Sequence, residues 1–132
     1  MSKIFNISEA ATIAIHSLAI IARSKQQLNA QQIADKTGFS KNHLAKILQQ
    51  LVKNNYLAST RGPKGGFVIK KDPEKITMME IYRLIEGDLE EKSSCKLACE
   101  ACPFNECIFG GLNEKFNKEF KAYLTGKKIA AL

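Results

Sequence analysis

Outside one stretch of thirteen residues the chain has no cysteine. Thiols scattered through a small chain would suggest a disulfide framework. Here all four, Cys95, Cys99, Cys102 and Cys107, fall in "SSCKLACEACPFNEC". The chain also lacks a long apolar run. The best candidate, "ATIAIHSLAIIA" from Ala11 to Ala22, is interrupted by His16 and Ser17, follows Glu9 and precedes no small-residue cleavage site. It is too short to span a bilayer, so neither a membrane segment nor a secretion signal is expected. The expected location is the cytoplasm, where thiols stay reduced and closely spaced cysteines bind metal or do redox work. Internal repeats, low-complexity tracts and a paired nucleophile and base are absent too, which argues against an enzyme.

What is present is one domain's worth of chain: 132 residues, 45% hydrophobic, with a net charge of +7. The charge is unevenly placed. Residues 41–75 hold eight of the lysines and arginines against Asp72 and Glu74, whereas residues 76–132 are slightly acidic. A basic middle points to a polyanionic partner, nucleic acid first, although a solvated lysine-rich surface looks the same in composition.

The middle also has a pattern. A first helix is expected from about Ser8 to Arg23, with Ser8 as N-cap and a stripe of Ala11, Ala14, Ile15, Leu18 and Ala22. After the polar stretch "SKQQLN", a short helix should start at Asn29, with Gln32 as reciprocal cap, and stop near Thr37 and Gly38. Ser40 then caps a third helix, Lys41 to about Asn54, whose inner face is Leu44, Ile47, Leu48 and Leu51. Two helices about a glycine turn form a helix-turn-helix. The outer face of the second would offer Lys41, Asn42, His43, Lys46, Gln49 and Lys53, side chains of the kinds that read base edges and phosphates.

Two short strands, Tyr56 to Ser59 and Gly66 to Lys70, flank "RGPKGG". A hairpin directly after a helix-turn-helix is a winged helix. Arg61, Pro63, Lys64 and Gly65 lie at its tip, placed to approach a DNA backbone or minor groove. Phe67 and Ile69 would point inward. Candidate DNA contacts are therefore Ser40, Lys41, Asn42, His43, Lys46 and Gln49, then Arg61, Pro63, Lys64 and Gly65. Of the two histidines, His16 is expected to be structural.

A further helix should open at Thr77, with Thr77 and Glu80 as a capping box, and end at Gly87. An acidic segment carrying the cysteines follows. A last helix runs from about Gly111 to Thr125, with Leu112, Phe116, Phe120 and Tyr123 on one side, to dock within the chain or against a second copy. The fold class is mainly α with a small β-hairpin wing, a winged helix-turn-helix followed by a long C-terminal helix. The expected division is residues 1–75 for DNA binding and 76–132 for the helix, cysteine loop and terminal helix, within one compact unit.

The stretch "GFSKNHLAKILQQLVKNNYLASTRGPKGGFVI", beginning at Gly38, resembles the Rrf-two family of bacterial winged-helix transcription regulators of the IscR and NsrR type. The "RGPKGG" wing with an aromatic directly after it is the most specific piece. "SEAATIAIHSLAIIA", "MMEIYRLIEG" and the cysteines before a long helix complete the order of parts. The resemblance implies a homodimer joined through the terminal helix, a near-palindromic double-stranded DNA operator and, in several members, an iron–sulfur cluster on three loop cysteines and a fourth ligand. The spacing departs from that pattern. Family cluster binders space three cysteines widely and evenly, whereas the gaps here are three, two and four residues. Gly110 stands where IscR-like members place a ligand histidine. Thr12 stands where nitric-oxide sensors place a first-helix carboxylate from the partner chain, with Glu9 about one turn earlier.

Four thiolates suit a four-iron cluster better than a two-iron one in this reading, and Cys102-Pro103 is similar to ferredoxin-like binding loops. Zinc also accepts four thiolates, with Cys99 and Cys102 as a half-site. A metal-free thiol switch is a third option. The expectation is a DNA-binding regulator, a repressor, controlled by a cluster on Cys95, Cys99, Cys102 and Cys107. A zinc-stabilised or thiol-controlled regulator is the alternative, and an electron-transfer protein a distant one.

Overall fold

The computed structural model describes residues 7–87 and 102–132. Its elements in chain order are α1 (Glu9–Arg23), α2 (Ala30–Thr37), α3 (Lys41–Lys53), β1 (Leu57–Thr60), β2 (Gly66–Ile69), α4 (Met78–Glu86) and α5 (Leu112–Gly126). Short 3-10 turns at Pro73–Lys75 and Ile129–Ala131 complete them. The architecture is the expected one, mainly helical with a two-stranded antiparallel hairpin as wing.

α1 is capped as its sequence suggests: the Ser8 hydroxyl accepts from the Ala11 N–H at 3.1 Å. Its burial is wider than one stripe. Ile13, Ser17, Ala19 and Ile21 are buried together with Ala11, Ala14, Ile15 and Leu18. The cause is its position: α1 packs against α3, α4, β2 and the turn at Ile129–Ala131. It is therefore the central strut of the core, joined there by Ile33, Leu44, Leu48, Leu51 and Leu57.

The helix-turn-helix is built by its caps. The Asn29 side chain accepts from the Gln32 N–H at 2.8 Å, and Gln32 Oε1 accepts from the Asn29 N–H at 2.9 Å. Both halves of the capping box are present, so two otherwise orphaned donors are satisfied before the first turn closes. Gly38 ends α2 at φ 78, a left-handed conformation that glycine adopts without steric cost. α3 then buries Leu44, Ile47, Leu48 and Leu51, as the periodicity requires. Ser40 holds the N-cap position of α3, but its side chain makes no capping bond.

The strands sit one residue from the expected boundaries at three of their ends. Tyr56 stays outside β1 because its N–H bonds the Leu51 carbonyl at 3.0 Å, continuing the end of α3. Thr60 joins β1 because it pairs with Gly66, in a register that also sets Leu57 opposite Ile69. Phe67 is buried and Ile69 half-buried, the inward orientation expected of them. Leu28 adds a third, single-residue rung. Its N–H bonds the Phe67 carbonyl at 3.3 Å, and the Phe67 N–H bonds the Leu28 carbonyl at 2.8 Å. The approach is close enough that a Cβ on Gly66 would lie 2.7 Å from the Leu28 carbonyl oxygen.

At α4 the capping box is only half made. Thr77 Oγ1 accepts from the Glu80 N–H at 3.1 Å, but the Glu80 carboxylate accepts from the Tyr56 hydroxyl instead of reaching back. α4 and α5 pack together, with Tyr82 and Phe120 meeting edge to face at 5.1 Å between ring centroids. An antiparallel bridge pairs Thr77 with Lys128, closing the C-terminal end of the chain onto the start of α4.

Candidate DNA-binding face and cysteine site

The α3 residues Lys41, Asn42, Lys46, Gln49 and Lys53 are all exposed, as is Ser40 before them. None of these six carries a hydrophobic contact that would commit it to the core, so the outward face is a row of cations and amides. His43 is different. Its side chain is 37% exposed, and its Nδ1 lies 3.8 Å from Glu9 Oε1 at the start of α1. That contact places it at the seam between α3 and α1. His16, on α1, is exposed. Its Nδ1 lies 2.7 Å from the Thr12 carbonyl oxygen, and its ring meets Phe39 edge on.

At the wing, Arg61, Pro63 and Lys64 are exposed. The tip is drawn together by the Gly65 N–H, which bonds the Gly62 carbonyl at 2.9 Å. Because the rung at Leu28 ties the strands to the loop between α1 and α2, the tip is held at a fixed distance from the start of α2. A cleft of about 490 Å³ lies between them, lined by Gln26, Gln27, Asn29 and Gln32 on one side and Pro63, Lys64 and Gly65 on the other. Sharing Gln26 and Gln32 with it is a broader hollow of about 780 Å³ that takes in Arg23, Lys25 and Lys36. Asn29 and Gln32 are the expected capping pair, whereas Gln26 and Gln27 read in the sequence only as part of a polar stretch.

Of the four cysteines, Cys95 and Cys99 lie outside the described residues. Cys102 is half-buried and Cys107 exposed, and both are free thiols. They precede α5 through a turn in which the Gly110 N–H bonds the Cys107 carbonyl at 2.9 Å. The backbone N–H of Gly111, followed by that of Phe109, favours the thiolate and lowers the Cys107 pKa below its ordinary value. Among the described residues no group of three or more His, Cys, Asp or Glu converges as metal ligands do. In chemistry the full donor set of four thiols fits a soft-metal centre, either an iron–sulfur cluster or zinc.

Beyond the cysteines, an apolar surface runs along α5. Leu112, Phe116 and Tyr123 are exposed, while Phe120 is half-buried against Tyr82. A groove of about 350 Å³ beside them is lined by Ile7, Met78, Phe116, Phe120 and Leu124, among others. Among the described residues no helix is long and apolar enough to cross a membrane.

Comparison with known proteins gives a consistent result. The family model Rrf2, described as iron-dependent transcriptional regulator, matches residues 7–132. BadM of Rhodopseudomonas palustris is 40% identical over 80 residues, which cover 58% of this chain and 51% of that protein. The matched part thus spans about half that relative's length. The HTH-type transcriptional regulator NsrR of Bacillus licheniformis is 36% identical over 104 residues, 76% of this chain and 69% of that protein. Among solved structures, CymR, the global cysteine regulator of B. subtilis, superposes with a TM-score of 0.75 at 20% identity, covering 95% of this chain and 93% of that one. At that identity the likeness speaks for the fold.

Proposed function

The chain belongs to the Rrf2 family of transcriptional regulators, and from that premise we propose a DNA-binding repressor, cytoplasmic and homodimeric, controlled by an iron–sulfur cluster in its cysteine segment. The observation that carries the DNA reading is the exposed row Lys41, Asn42, Lys46 and Gln49 on α3, beside a wing whose tip presents Arg61, Pro63, Lys64 and Gly65. A cation or amide on a helix face serves phosphates and base edges alike. The proposed operator is near-palindromic, two half-sites matching two copies of α3.

Cys95, Cys99, Cys102 and Cys107 are the residues that would hold the cluster, all from one chain. When bound, the group would supply a redox-active centre and offset the negative charge of the thiolates. Several carboxylates surround them in sequence, including Glu100 and Glu106. Without metal, these acids disfavour ionisation of the thiols, and metal binding must displace their protons, which links metal occupancy to the arrangement of the segment. Control of DNA affinity then requires the metal-bound and metal-free conformations to differ in operator affinity. The thiol-switch alternative draws on one specific observation, the exposed Cys107 whose backbone surroundings favour its thiolate.

The test is anaerobic purification followed by visible absorption and iron, sulfide and zinc analysis, with DNA binding measured before and after metal removal. Iron and sulfide in cluster proportion, with an affinity that changes on removal, support the proposal. Stoichiometric zinc without iron overturns the cluster, and metal-free protein with reversible thiol-dependent binding favours the switch.

A further inference from the structure

The cleft between the wing tip and the start of α2 is lined by three amides whose hydrogen-bonding directions are fixed by chemistry. A backbone N–H can only donate, so the Asn29 and Gln32 side-chain atoms that receive the capping bonds are their oxygens. Their NH2 groups have no hydrogen-bond partner among the described residues. At Gln27 the oxygen is taken by Thr60. The Thr60 hydroxyl accepts from the Gly66 N–H at 3.2 Å and donates its own proton to Gln27 Oε1. The Gln27 NH2 group is then free to donate as well. Three amides thus have their oxygens occupied within the fold and their donors unspent beside the cleft.

The rest of the lining agrees in sign. Lys64 faces these amides across the cleft, and Arg23, Lys25 and Lys36 line the adjoining hollow. Among the described residues no aspartate or glutamate lines either space. Asp35, the acid of α2, lies outside both and is engaged by Gln31 at 2.8 Å. The walls are also rigid. The Leu28–Phe67 backbone pair and the close Gly66 contact set the separation of wing and helix through main chain. A fixed slot offering donors and cations, and no acid, matches a chain of phosphates.

We propose that this cleft holds the sugar–phosphate backbone of the bound DNA, making Gln27, Asn29, Gln32 and the neighbouring Lys25 sequence-independent contacts in addition to α3 and the wing tip. This rests on the DNA-binding reading above and adds a surface to it. The contacts set register and affinity and leave base choice to α3.

The deciding variant is Gln32→Glu. It keeps an oxygen for the Asn29 N–H, and glutamate is a standard partner in a capping box, so α2 is retained. It replaces the free donor with an anion inside the cleft. Asn113→Asp makes the same charge change at an exposed position of α5 that lines neither space, and serves as the reference. Binding of the full chain to a mixed-sequence duplex, followed by fluorescence anisotropy over a salt series, needs no knowledge of the operator. Gln32→Glu should bind about tenfold more weakly than Asn113→Asp. Lys25→Ala should reduce the salt slope by about one.

If Gln32→Glu matches its reference and Lys25→Ala keeps the wild-type salt slope while Lys46→Ala on α3 weakens binding, the cleft proposal fails and the DNA reading stands. If the wild-type chain binds no duplex, the DNA reading itself fails. Calorimetric titration with inorganic phosphate separates a free anion from a nucleic acid. Saturable phosphate binding abolished by Gln32→Glu, with duplex binding unchanged, overturns DNA as the occupant.

Discussion

The hydroxyl of Tyr56, in the turn after α3, donates a hydrogen bond to the carboxylate of Glu80 in the first turn of α4. Lys71 completes the arrangement, its Nζ 4.0 Å from the centre of the Tyr56 ring. The three residues join the end of the helix-turn-helix to the helix that leads toward the cysteines. Burial, and then Glu80, raise the Tyr56 pKa well above its ordinary value of 10.0.

The sign of the resulting pH dependence follows from that rise. Below about pH 10 both folded and unfolded chains keep the phenol proton, and the stabilisation is fully present. As the pH climbs further, the unfolded chain loses its proton while the folded chain retains it, so stability falls. Denaturant unfolding of the wild type should show a declining midpoint above about pH 10 that is reduced in Tyr56→Phe. At neutral pH, Tyr56→Phe should cost about 1–2 kcal/mol, since it leaves the carboxylate without this donor. A pH-independent difference between the two proteins would contradict the assignment.

Ser17 is fully buried on α1, and its hydroxyl has no partner among the described residues. Replacement by alanine removes an unsatisfied polar atom and introduces the residue with the highest helix propensity. Ser17→Ala should raise the unfolding free energy by about 1 kcal/mol, measured by urea melts with unchanged slope. A loss of stability would mean that the hydroxyl is satisfied in solution.

Assembly is tested at Phe116 and Tyr123. Both are exposed on α5, whereas Phe120 is already held by Tyr82 and is the poorer probe. If α5 joins two copies, Phe116→Glu combined with Tyr123→Lys should turn a dimer into a monomer in sedimentation at tens of micromolar, with helicity retained. A monomeric wild type, or a dimeric double variant, would remove α5 as the dimer contact.

Each cysteine can be tested alone by substitution with serine. Cluster retention after anaerobic purification should fall in all four variants, with Cys95 and Cys107 affected at least as strongly as Cys99 and Cys102. A variant that keeps a full cluster and an unchanged spectrum identifies a cysteine that is not a ligand. Glu9 from a second copy is then the next donor to substitute.

Local rules carried much of the fold. The Asn29–Gln32 capping box, the α3 face and the Gly87 stop of α4 follow from residue type and spacing, because each is settled within one or two turns of chain. The sequence reading weakened where distant parts meet. Glu80 left its capping role for Tyr56, a residue 24 positions away. α1 is buried beyond its stripe because elements from both halves of the chain surround it. Leu28 forms a rung one residue long, and a single residue has no period to read. For the same reason the Gln27 side of the amide cleft was hidden: Gln27 acquires a direction only when Thr60, 33 positions away, claims its oxygen. At the candidate site, the cations of α3 and the wing tip were legible as exposed positions, and His43 was the member whose surroundings, beside Glu9, needed the third dimension.

The bridge between Thr77 and Lys128, with Tyr82 against Phe120, has a consequence for whatever gathers the four thiols. α4 and α5 are clamped together independently of the cysteines, so the chain between Gly87 and Leu112 leaves and rejoins one paired base. The entropy of closing that loop is met by the helix pair when the chain folds. For a flexible loop, doubling the length adds only about 0.6 kcal/mol to closure. A change in the number of residues between the two helices is therefore thermodynamically cheap wherever the added chain is flexible.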